Sequence, residues 1–163
     1  KYPNETLERL AYRGIYISLP VTPRSIWGLY KLMAMVRNSG KTGYTYLNPT
    51  YISDVVEAPQ EPYYIYDVED GKAMRGKSPK DALKIFKREK RSPLTAAEVM
   101  ALIVHTDVLS RHYVWVCGSR YVSADQMPTA YLDVSRPELS WFYASGSFGR
   151  WGSASCLRQA GLR

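Results

Sequence analysis

"SPLTAAEVMALIVHTDVLSRH", residues 92–112, decides how the rest of this chain can be arranged. Thr95 and Glu98 form a capping box, each side chain satisfying a free backbone amide of the first helical turn. From Ala96 to Val104 the helix is apolar almost all round. It has no polar face to offer water, so it lies deep in the protein with other elements packed around it.

Immediately upstream, "KAMRGKSPKDALKIFKREKR" (72–91) carries nine Lys/Arg and two Asp/Glu, a balance of +7. The whole chain, with 22 basic and 15 acidic residues, is also +7, so the remainder is neutral with thirteen of each sign. Residues 42–71 hold six acids (Asp54, Glu57, Glu61, Asp67, Glu69, Asp70) and no base. In the basic segment Ser78 is a capping residue, and Pro79 suits the first helical position. At helical spacing Lys80, Lys84, Lys87, Arg88 and Arg91 share one face, and Ala82, Leu83, Ile85 and Phe86 take the other. Such a stripe can follow a row of phosphates. It equally reads as the solvated face of a surface helix, or as a face against which the acidic segment folds back.

Working outward, a helix is expected around Thr6–Tyr12 and a strand over 15–21. Thr22 and Pro23 signal a helix carrying Ile26, Leu29, Tyr30, Met33 and Val36, ended by Ser39-Gly40, with a second strand over 43–48. Residues 15–48 therefore read as strand–helix–strand, with a right-handed parallel crossover if the strands share a sheet. "YYIYDV" (63–68) is a further strand before the two helices of 72–110. Beyond them "YVWVCG" (113–118), "TAYLDV" (129–134) and "LSWFYAS" (139–145) are strands whose short spacing predicts antiparallel pairing. The expected class is α+β: one domain over 1–163, a mixed sheet covered by helices, and an antiparallel β-rich last third over 113–156.

Length and composition suit one self-sufficient core: 163 residues, 45% hydrophobic and 13% aromatic, with fourteen tyrosines against three phenylalanines. No apolar run approaches the roughly 20 residues of a membrane span, and no signal-peptide layout opens the chain. A cytoplasmic location is the default expectation, with an upstream segment left open because the chain starts at Lys1 without methionine. Cys117 and Cys156 allow at most one bridge and otherwise read as buried thiols; neither spacing nor a Cys/His cluster suggests a metal, and no cofactor motif appears.

Candidate chemistry is thin. His105 shares a helix face with Glu98 two turns away, too far for contact, and His112 opens a strand. "GSASC" (152–156) lacks the spacing of a nucleophile elbow. Gly118-Ser119-Arg120 and "GSFGRWGS" (146–153) have anion-binding turn composition, with Arg120 or Arg150 to add a bidentate charge, yet neither is a phosphate loop opening a helix. Five aromatics crowd Trp141–Trp151; alternation puts Trp141 and Tyr143 on one face and Phe142 on the other, so one set is core and the other is available to stack bases or sugars.

The order of "PYYIYDVEDG", "SPLTAAEVMALI", "GSR" and the closing "GSASC" resembles an uncharacterised bacterial family classed as a domain of unknown function. The resemblance spans residues 15–160. That family's pattern has a cysteine between two tryptophans where this chain has Trp141-Phe142-Tyr143. It implies one intact domain and carries no activity or site residue with it.

From the residues alone, the first reading is a non-catalytic binding module that contacts an anionic partner, most simply nucleic acid, through the 72–91 stripe. Phosphate contacts would fall to Lys80, Lys84, Lys87, Arg88 and Arg91. The alternatives are a small enzyme with a pocket near Arg120, Arg150 and Cys117 or Cys156, and a protein-interaction module using the acidic and basic segments. Oligomeric state is left open.

Overall fold

In the computed structural model, residues 1–158 are described. The amino-terminal part runs α1 (Leu7–Tyr12), β1 (Ile15–Val21), α2 (Leu29–Met35), the hairpin β2 (Arg37–Asn38) and β3 (Lys41–Thr42), then β4 (Tyr44–Thr45), β5 (Ile52–Asp54) and β6 (Tyr63–Glu69). Next come α3 (Pro79–Glu89), β7 (Ser92–Pro93) and α4 (Ala96–His105). The last third holds β8 (Tyr113–Trp115), β9 (Ser119–Tyr121), β10 (Gln126–Asp133), β11 (Arg136–Tyr143), β12 (Trp151–Ser153) and β13 (Ser155–Leu157).

Two larger sheets result. One has the order β1-β6-β13-β7; the other, β12-β8-β10-β11-β4, is mixed. Within the latter, β8, β10 and β11 pair antiparallel, while β12 on β8 and β4 on β11 are parallel. The fold is thus α+β, as expected, and the three strands predicted to pair antiparallel, β8, β10 and β11, do so. Helix α4 occupies the centre: every residue from Ala96 to Ile103 is buried, in one cluster with α2 and the inner faces of both sheets. Its capping box is formed, Glu98 N–H donating to Thr95 Oγ1 and Thr95 N–H to Glu98 Oε2. An apolar helix of this kind stabilises the fold because burial removes its whole surface from water.

Three expectations need correction. Residues 15–48 form no crossover, because β1 and β4 belong to different sheets. Pro23 opens a turn, its carbonyl accepting from Ile26 and Trp27, and the helix starts only after Gly28. Ser39-Gly40, both at positive φ, make the turn of the β2–β3 hairpin, a backbone shape that does not terminate the helix four residues earlier.

The closing "GSASC" crosses from one sheet to the other. Gly152 and Ser153 lie in β12 of the mixed sheet, and Ser155 and Cys156 in β13 of the other, with buried Ala154 between them. No helix among the described residues is long and apolar enough to cross a membrane.

Candidate functional site

Helix α3 begins as its caps dictate: Ser78 Oγ accepts from Asp81 N–H, and Pro79 occupies the first turn. Ala82 and Phe86 are buried beneath it. On the opposite face Lys80, Lys84 and Arg88 are 56%, 80% and 74% exposed, and Lys87 is exposed as well. Their acidic neighbours are few and solvated: Lys80 with Asp125 (3.2 Å), Lys84 with Asp81 (3.3 Å) and Arg88 with Glu89 (4.0 Å). Such surface pairs hold charge in place only weakly. The acidic segment does not fold back along this face.

Arg91 is the exception, and it leaves the stripe. Lys90 takes a left-handed conformation as the C-cap, which turns the chain inward. Arg91 is then buried, donating from Nη1 to Asp67 Oδ2 (3.0 Å) and from Nε to Ser155 Oγ (2.8 Å), with Glu69 also near. Helical periodicity placed it with the lysines because nothing in the spacing marks where the helix stops. Burial acts to raise the Asp67 carboxyl, but hydrogen bonds from Lys1, Tyr2 and Arg91 outweigh it and hold the group down to about 2. Asp67 therefore contributes stability that is complete above its unfolded value near 3.8 and is lost as pH falls through about 2. Asp67→Asn is expected to flatten the acid limb of the urea midpoint between about pH 4 and 2. An unchanged acid limb would show that Asp67 does not carry it.

Arg120 does not sit on a free turn either. It belongs to β9, which pairs with β5, and its Nη1 donates to the carbonyls of Cys117 (2.9 Å) and Ser119 (2.8 Å). Its guanidinium is thus committed to backbone. Arg150 is exposed, its guanidinium carbon 5.0 Å from the centroid of Tyr113. A cleft at the far end of α4, around Asn38, Val104 and His105, is lined by neither of these two arginines and by no thiol. Cys117 and Cys156 are free and buried, and burial pushes the first up to about 11 and the second to about 12. Cys117 donates to Ser153 Oγ (3.2 Å), while His112 is engaged with Asp70 (Nε2 to Oδ1, 3.1 Å) and the Tyr113 carbonyl. Burial of this kind favours the protonated thiol and keeps it away from solvent. A cleft of about 440 Å³ at the start of α4, lined by Arg24, Thr50, Asp54, Tyr63 and Thr95 among others, contains none of these residues.

What alternation does bring together is the outer face of the mixed sheet. Register pairs Trp151 with Tyr113 across β12–β8 and Met127 with Phe142 across β10–β11, and Tyr131 points to the same side. The rings of Tyr113, Tyr131, Phe142, Phe148 and Trp151 form one connected network with centroids 4.9 to 6.4 Å apart. Phe142 is 39% and Phe148 43% exposed, and the other three are half-buried. Trp141 instead packs toward the main core, as the opposite phase of β11 requires. At one edge of this face Glu138 accepts from Tyr44 (2.7 Å) and Tyr131 (2.8 Å), raising both phenols, Tyr44 chiefly through that bond and Tyr131 chiefly through burial.

The opposite edge meets α3. Leu83 packs with buried Trp115, Cys117, Met127 and Ala144, and Trp151 lies against the same cluster. Backbone and side chain join the two segments directly: Lys80 N–H donates to Ala144 O, Ser147 Oγ to Gly76 O, and Arg75 Nε to Gly149 O. A basic helix and an aromatic sheet face therefore share a border. A model of a family of unknown function, DUF5701, matches residues 5–162. The chain belongs to this family. No curated protein and no solved structure matches it. In this DUF5701 chain, sequence alone does not single out the rings of Tyr113 and Tyr131. Each stands at an outward position of a strand, a signal that becomes readable only once the sheet order is known.

Proposed function

We propose that this chain is a non-catalytic module that binds nucleic acid through the exposed face of α3. The observation that carries the reading is the concentration of charge: Lys80, Lys84, Lys87 and Arg88 point outward on one helix face, and no acid from the 42–71 segment faces them among the described pairs. A row of such cations neutralises phosphates and releases their counterions, so the logarithm of affinity falls linearly with the logarithm of salt concentration. Arg91, turned inward to Asp67, has no part in the contact.

The test is fluorescence anisotropy of labelled oligonucleotides, titrated with salt, for the wild type and for the combined Lys80→Glu, Lys84→Glu and Lys87→Glu variant. The wild type is expected to bind at low salt with a steep slope. Removing three phosphate contacts should reduce that slope by about 2 to 3 and lower affinity by about a hundredfold or more. All three side chains are exposed, so the variant should melt as the wild type does. Absence of wild-type binding at low salt, or full retention by the variant, would overturn the proposal.

A further inference from the structure

We infer that the nucleic acid taken by this chain is single-stranded, its unpaired bases stacking on Phe148 and Phe142 while its phosphates run beside Arg150 and the start of α3. The inference rests on the phosphate-binding reading of α3 and adds the class of strand. It starts from the five-ring network on the outer face of the mixed sheet. Phe148 lies nearly parallel over buried Trp115, with centroids 6.1 Å apart and planes 24° apart, which backs one of its faces and leaves the ring partly open to solvent. Phe142 stands edge-on to Trp151 at 4.9 Å and to Phe148 at 6.1 Å, so the two exposed rings are held by their neighbours rather than free to turn. Rings immobilised in this way lose little freedom when a second ring stacks on them. Contiguous apolar surface of this kind on a soluble chain marks an interaction site.

Charge selects the occupant. The aromatic face has an acidic edge at Glu138 and Asp133, both engaged by Tyr44, and a basic edge at Arg150, Arg75 and Lys80, where Asp125 pairs with Lys80 as the one acid among the described contacts of these three. The hydrogen bonds Lys80 N–H to Ala144, Ser147 to Gly76 and Arg75 to Gly149 tie the basic edge to the very loop that presents Phe148. A ligand that fits both halves has flat π-faces along one side and regularly spaced negative charge along the other. A neutral sugar would leave the cations unused. A duplex keeps its bases stacked on one another, so their faces cannot reach Phe142 and Phe148, and only its phosphates could engage. A single strand offers both features, and base–aromatic stacking with cation contacts is how sequence-tolerant single-strand binders work.

Anisotropy with an unstructured single strand, as DNA and as RNA, a duplex of equal length, and inorganic polyphosphate as competitor separates the two layers of the reading. Phe142→Ala and Phe148→Ala are each expected to weaken single-strand binding about tenfold or more. Duplex affinity, polyphosphate competition and the salt slope should stay as they are. Phe148→Trp and Phe142→Tyr, which keep a π-face, should retain binding, and single-strand addition should quench tryptophan emission through Trp151. If single strand and duplex bind equally and the alanine variants change neither, the stacking inference falls while the α3 reading stands. If the wild type binds no nucleic acid at low salt, both fall. If the lysine variant loses duplex and polyphosphate binding as well as single-strand binding, but the phenylalanine variants lose only the single strand, both hold.

Discussion

Replacing Gly152 by alanine is expected to destabilise the fold by more than about 4 kcal/mol, enough to consume most of the stability of an ordinary domain. A Cβ built on Gly152 would lie 2.0 Å from the carbonyl oxygen of Gly71, 2.8 Å from its carbonyl carbon and 3.3 Å from the Arg75 nitrogen. All three are backbone atoms, so no rotamer change relieves the overlap. The partner is equally constrained: Gly71 has φ of +98°, and a Cβ there would meet the Gly152 carbonyl carbon at 2.8 Å. Nor can β12 retreat. It pairs in parallel with β8 on one side, while Gly76 N–H donates to the Trp151 carbonyl on the other. Gly149→Ala is the control, because nothing lies within 4 Å of a Cβ there. Its unfolding free energy from urea titration should match the wild type within about 0.5 kcal/mol, while Gly152→Ala fails to accumulate as soluble protein or unfolds at far lower urea. Equal midpoints for the two variants would show that the Gly71–Gly152 approach is not as close as described.

The same pair of glycines shows where sequence reading ends. Thr95 and Glu98 announce their helix because a cap is a local object, complete within four residues. The depth of α4 was legible for the same reason: an apolar circumference needs no knowledge of partners. Gly152 and Gly71 lie far apart in sequence, and their need for each other exists only after two sheets have formed. The strands expected over 129–134 and 139–145 start later than β10 and β11, which begin at Gln126 and Arg136, ahead of Pro128 and Pro137, whose rings lack the N–H that a ladder uses. Yet β10 and β11 run straight through them, with Pro128 opposite Trp141 and Pro137 opposite Leu132. Arg91 and Arg120 carry the same lesson for the site. Both are arginines of suitable spacing, and both are drawn onto buried acceptors that lie elsewhere in the chain or on its own backbone. Lys80, Lys84, Lys87 and Arg88 needed no such partner to be placed, since the amphipathic pattern of one helix decides their exposure.

Glu98→Ala is the second change with a large expected effect, about 3 to 5 kcal/mol. Glu98 is wholly buried and gathers four donors: Thr95 N–H at 2.8 Å, the Tyr63 hydroxyl at 2.8 Å, and both terminal nitrogens of Arg158, Nη2 at 2.7 Å. Through Arg158 it fastens the segment after β13 onto α4, and through Tyr63 it fastens the start of β6. Removing the carboxylate leaves a largely enclosed guanidinium, a phenol and a backbone amide without an acceptor, which costs far more than the pair contributes when intact. The Tyr63 hydroxyl, whose ionisation is suppressed first by burial and then by the Glu98 charge, would titrate closer to an ordinary phenol once the carboxylate is gone. A double-mutant cycle with Arg158→Ala distinguishes an ion pair from mere packing. If the stranded guanidinium dominates, Arg158→Ala recovers part of the loss in the Glu98→Ala background, and the two changes together cost less than their sum. Strict additivity in urea unfolding would instead assign the effect to the capping box and Tyr63 alone. The aromatic face is built on other strands, so the proposed nucleic-acid binding, measured below the variant's unfolding transition, should be unaltered, which would separate what holds the core from the proposed contact surface.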